Sequence, residues 1–89
     1  MFLKNYMEEA VKGMLDNVLK DLDVCKCDRC KLDIMALALN NLPPKYTVTE
    51  IGELYLRTNE LQQQFEVDIV SAIINAAQYV NKHRRHEEA

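Results

Sequence analysis

The 89-residue chain predicts an all-α domain of three to four helices. Apolar residues recur at spacings of three and four over long stretches, which is the period of one helix face. Two Gly, two Pro and no Trp leave few places to turn, so the elements should be long. All three cysteines fall in one window, Cys25-Lys26-Cys27-Asp28-Arg29-Cys30, and so offer a point at which a small chain can be tied together.

The first helix is expected over residues 3–22. Leu3, Met7, Val11, Met14, Val18 and Leu22 form a stripe that Tyr6, Ala10, Leu15 and Leu19 widen. Gly13 costs it about 1 kcal/mol relative to Ala, which the helix can absorb, or which can mark a close approach by another backbone. Residues 23–30 read as a polar loop carrying the cysteines. A strongly apolar helix follows over residues 31–41, through Leu32, Ile34, Met35, Leu37, Ala38 and Leu39. It stops at Asn40-Asn41, because Leu42 precedes Pro43 and is pushed away from helical angles.

Pro43-Pro44 opens a stiff connection over residues 42–57. Within it, the segments 46–49 and 54–57 have β-favouring composition around a turn at Gly52, which suits a short extended pair. The Thr47…Glu50 capping pattern suits a helical turn instead. Thr58 is the N-cap candidate of a last, long helix over residues 58–83, with Leu61, Phe65, Ile69, Ile73, Ala76, Ala77 and Val80 on one stripe. Val67, Val70, Ala72, Ile74 and Tyr79 lie off that stripe. Three helices of one chain cannot cover so much apolar surface, so a homodimer is expected.

A formal charge of −3 and a pI near 5.3 argue against direct nucleic-acid binding, which rests on neutralising many phosphates. No apolar run approaches the length of a membrane span, and Met1-Phe2-Leu3-Lys4-Asn5-Tyr6 lacks the regions of a signal peptide. A cytoplasmic chain without membrane insertion is the expectation, and reduced thiols suit that compartment.

Thiolates spaced C-x-C-x2-C supply three soft donors from one loop, as a tetrahedral zinc site requires. Lys26, Arg29, Lys31 and the start of the second helix would favour their ionised form. The fourth donor must come from elsewhere: His83 or His86 at the end of the last helix, water, or a second subunit. The competing readings are surface thiols or a redox pair, while an iron–sulfur cluster lacks its usual fourth cysteine. A catalytic zinc would need an open position and a general base; Asp33, placed in the first turn of the second helix, is more simply a partner of the helix dipole. No Ser/His/Asp set, Gly-rich phosphate loop or His-Glu-x-x-His pattern is present, and no enzymatic activity is expected.

The cysteine run, then Asp33-Ile34-Met35-Ala36-Leu37-Ala38-Leu39-Asn40, then Leu42-Pro43-Pro44-Lys45-Tyr46, resembles the late competence protein ComFB family over nearly the whole chain. The resemblance implies a small, mainly helical, zinc-binding homodimer without catalysis. It implies association with competence and, in some members, reception of cyclic dinucleotides that control motility, pili or competence. Members in which a late cysteine completes the metal shell differ from this chain, which has histidines there.

A cyclic dinucleotide needs cations for two phosphates, flat faces for its bases and hydrogen-bonding groups for their edges. Lys45 and Tyr46 follow the rigid di-proline, Arg29, Lys31 and Arg57 could converge on the same face, and Thr47 offers a hydroxyl. Taken singly, each cation reads as a surface charge, and Tyr46 packs on the second helix as readily as it stacks on a base. The functional expectation is a regulatory receptor for c-di-GMP or c-di-AMP that relays to a downstream protein. The alternative is a structural accessory of the DNA-uptake machinery that binds protein and no nucleotide.

Overall fold

The structure, a computed structural model, describes residues 1–83, the side chains of residues 59–62 excepted. The order is β1 (Lys4–Asn5), α1 (Tyr6–Leu19), α2 (Asp28–Asn40), β2 (Tyr46–Thr47), α3 (Glu50–Leu56) and α4 (Asn59–Lys82). Four helices with one small antiparallel strand pair accord with the expected class. Among the described residues no helix is long and apolar enough to cross a membrane.

α4 packs against both α1 and α2, which also touch each other. The core is built from one stripe each of α1, α2 and α4. α1 contributes Met7, Val11, Leu15 and Leu19, α2 contributes Cys30, Ile34 and Ala38, and α4 contributes Phe65, Ile69, Ile73, Ala77 and Val80. These positions recur every three or four residues, so one face of each of these three helices closes the centre. Leu42 seals the end at which α2 stops, and the Asn41 side-chain amide donates to the Leu37 carbonyl there at 2.9 Å.

Several boundaries differ from the sequence reading, for local reasons. α1 begins at Tyr6 rather than Leu3, because Lys4 and Asn5 pair antiparallel with Thr47 and Tyr46. Asn5 then caps α1: its Oδ1 accepts the Met7 amide at 3.2 Å and the Lys45 amide at 2.8 Å. α1 ends at Leu19, and α2 begins at Asp28, inside the expected loop, with Cys27 as its N-cap. The residues of the connection do not form a hairpin with each other. Tyr46-Thr47 pairs with β1, while 50–56 is helical with Thr49, not Thr47, as the cap. The Thr49 hydroxyl accepts the Gly52 amide at 3.1 Å, and a Cβ on Gly52 would press on that oxygen at 3.3 Å. No backbone crowds Gly13, where an added Cβ would meet nothing within 4 Å. That glycine is a weak point the helix absorbs.

Candidate metal centre

The cysteine loop bridges the end of α1 to the start of α2 and leans on the last turns of α4. Three sulfurs are gathered there: the Sγ atoms of Cys25, Cys27 and Cys30 all lie within 4.8 Å of one another. Each is held by a different means. Cys25 is half-buried, and its amide donates to Oδ1 of Asn81 at 3.4 Å, which ties the loop to α4. Cys27 is exposed; as the N-cap of α2 its Sγ accepts the Cys30 amide at 3.4 Å, and its carbonyl accepts the Lys31 amide at 2.9 Å. Cys30 is buried in the core with Ile34 and Ala38 one and two turns on.

Burial, followed by the neighbouring Cys25 and Cys27 sulfurs, pushes the Cys30 thiol up to about 12. The nearby cations do not relieve this as the sequence suggested. Lys26 Nζ donates to the Leu22 carbonyl at 2.7 Å and so serves the end of α1, and Lys31 pairs with Asp16 at 2.8 Å. Ionising three crowded sulfurs therefore calls for a compensating cation within the cluster itself. A tetrahedral zinc with bonds near 2.3 Å sets its sulfurs about 3.8 Å apart, so these residues fit such an ion with little contraction. Bound metal would supply charge neutralisation and a joint between the loop and α2.

His83 is not gathered with the three sulfurs. Its ring stacks on Tyr79 with centroids 4.2 Å apart, and its Nδ1 meets the Tyr79 carbonyl at 2.9 Å. Asn81 faces the cysteine loop, and residues two apart on a helix point to nearly opposite sides, which turns His83 toward a cleft of about 370 Å³ shared with Asp33 and Asn40. His86 lies outside the described residues. Asp33 is likewise not in the first turn of α2, which Asp28 occupies. Among the described residues only the three cysteines form a metal-ligating group.

Sequence reasoning overlooked Asn81. Its signal was present: Ile73, Ala77 and Asn81 run along one helix face, so the buried stripe ends in a polar residue that needs a partner.

The residues expected at a nucleotide fall into two groups at opposite ends of α1. Arg29 and Lys31 stand in the first turn of α2, beside the end of α1. Lys45, Tyr46 and Thr47 lie against its beginning, a helix length of about 20 Å away. Arg57 is at that second end but engaged, with Glu53 at 2.8 Å, Glu9 at 3.2 Å and the Tyr6 ring 5.5 Å from its guanidinium carbon. Lys4 closes the network with Glu53 at 3.0 Å and Glu9 at 3.1 Å. Lys4 and Arg57 hold the Glu53 carboxyl below its ordinary value.

Lys45, Tyr46 and Thr47 do meet, in an open groove of about 340 Å³ that Tyr55 and Gly52 also line. Tyr46 is 62% exposed rather than packed on α2, and Tyr55 is 67% exposed. The Thr47 hydroxyl is buried and has no hydrogen-bond partner among the described residues.

No curated protein matches the chain. The fold is shared with the solved structure of the late competence protein ComFB from Bacillus subtilis: the TM-score is 0.82 at 24% identity, over 96% of this chain and 94% of that one. The family model of late competence development protein ComFB matches residues 4–84, from the first strand to beyond the last described turn, and the chain belongs to the ComFB family.

Proposed function

We propose that this chain is a non-enzymatic, zinc-stapled regulatory module of the cytoplasm that receives a cyclic dinucleotide at its strand end. The observation that carries this reading is the groove of Lys45, Tyr46, Thr47 and Tyr55. A cation for a phosphate and two exposed aromatic faces for bases converge there. Arg29 and Lys31 are not part of it, and Arg57 serves the ion-pair network. A homodimer joined through the Val67, Val70 and Ile74 face of α4 would present the groove twice, as suits a two-fold symmetric ligand.

Calorimetric titration of the zinc-loaded protein with c-di-GMP and c-di-AMP tests the reading. Heat of binding is expected with one of them, and Tyr46→Ala should weaken it by about tenfold or more, the usual worth of one stacked base. No heat and no thermal shift at excess ligand would remove the receptor.

The second reading, a protein-binding accessory of DNA uptake, is favoured by α3. Ile51, Leu54 and Tyr55 are 80%, 65% and 67% exposed on a helix that buries none of its residues. Under that reading Leu54→Asp abolishes capture of a competence protein while both nucleotides leave the calorimeter silent.

A further inference from the structure

We infer that Cys27 and Cys30 form a peroxide-sensitive dithiol whose disulfide and bound metal exclude one another. The two cysteines stand as N-cap and third residue of one helix start, the outer exposed and the inner 1% exposed. Their sulfurs lie within 4.8 Å, and the Cys27 sulfur already leans over the turn to accept the Cys30 amide at 3.4 Å. Residues three apart at a helix start have Cα atoms about 5 Å apart, inside the roughly 4.4–6.8 Å that a disulfide spans. Side-chain rotation can therefore close the bond without moving α2. Cys25 is the less suitable partner. Its half-buried sulfur is less open to peroxide than that of Cys27, and a link between those two would close over Lys26 alone.

The accessible Cys27 sulfur attacks an oxygen of hydrogen peroxide or an alkyl hydroperoxide. The O–O bond breaks, water or an alcohol leaves, and Cys27 becomes a sulfenic acid. The Cys30 sulfur then attacks the sulfenyl sulfur; the S–S bond forms, the S–O bond breaks, and the oxygen leaves as water with the Cys30 proton. The cysteines lose two electrons and the peroxide gains two. A metal at the cluster loses two of its three sulfur donors in that step, and a dithiol reductant restores them. The metal-release half rests on the zinc reading above, whereas the disulfide itself does not.

The test exposes reduced, metal-free chain and zinc-loaded chain to equimolar hydrogen peroxide, alkylates the remaining thiols and digests with trypsin without reduction. Cleavage after Lys26, Arg29 and Lys31 puts each cysteine on its own peptide. The expected product links Cys27-Asp28-Arg29 to Cys30-Lys31, with Cys25 alkylated and the intact chain lighter by two hydrogens until dithiothreitol is added. In the loaded arm a chromogenic chelator should register one zinc released per link. Cys30→Ser should leave a Cys27 sulfenic acid that dimedone traps. A link through Cys25, a link between chains, or Cys27 and Cys30 both alkylated after peroxide overturns the proposal. A Cys27–Cys30 link in the metal-free arm, with no zinc taken up in the other, supports the dithiol and removes the zinc staple.

Discussion

At the end of α1 the chain is gathered by three sulfurs and the Asn81 amide, with Cys30 driven into the core. At its beginning two residues of strand, the Asn5 side chain and four exposed or half-exposed charges do the gathering, with Glu53 between Lys4 and Arg57. The first end gathers around sulfurs that run from the exposed Cys27 to the buried Cys30. The second depends on directed hydrogen bonds and ion pairs within the chain, and so leaves Tyr46 and Tyr55 outward.

The contrast breaks most visibly on removing metal. Chelation is expected to lower stability by about 3–4 kcal/mol where free zinc had stood a hundred to a thousand times above its Kd, measured as a fall in melting temperature together with metal content. Cys27→Ser should reproduce that fall in loaded protein yet leave the metal-free melt nearly unchanged, because serine is itself a good N-cap. A loaded Cys27→Ser protein that melts like the parent would put the staple elsewhere.

At the opposite end Asn5→Ala should cost about 1–2 kcal/mol by orphaning the Met7 and Lys45 amides, with zinc content unaltered; denaturant unfolding alongside metal analysis checks both halves. Thr49→Ala removes a single cap bond, to Gly52, and should cost about 1 kcal/mol or less. Hydrogen exchange should then show α3 opening on its own, since none of its residues is buried. Simultaneous loosening of α1 and α3 would mean that the second end is more tightly coupled than its contacts suggest.

The smallest effect concerns Glu53. Because its folded carboxyl is held below the ordinary value, first by Lys4 and then by Arg57, the stabilisation is present above the ordinary carboxylate range and is lost as pH falls through the lowered value. Glu53→Gln should flatten that acid limb of the stability profile, and added salt should do the same. A profile unaffected by either change would assign the limb to other carboxylates.

Both ends were legible to different depths. The long helices followed from spacing, since Ile69, Ile73, Ala76 and Val80, four, three and four residues apart, can face one core only if the chain is helical. The cysteine cluster was equally plain, because a single turn of the chain is enough to gather three donors spaced within six residues. The strand pair was misread as local. Tyr46-Thr47 found its partner in Lys4-Asn5, some forty residues earlier, and pairing at that separation leaves no mark on either segment. The spread of Arg29 and Lys31 away from Lys45 was hidden for the same reason. Nearness in a composition does not say which end of a helix a residue will reach.

What the sequence determined by itself is the periodic part: the helix faces, the breaks at Asn41-Leu42-Pro43 and the sulfur-rich loop, each the result of interactions between residues a few positions apart. Tertiary structure alone decided that Asn81 holds Cys25 and that Arg57, already paired with Glu53 one turn back, also reaches Glu9 on α1. Those choices depend on how elements distant in sequence are brought together, and packing of the whole core sets that geometry.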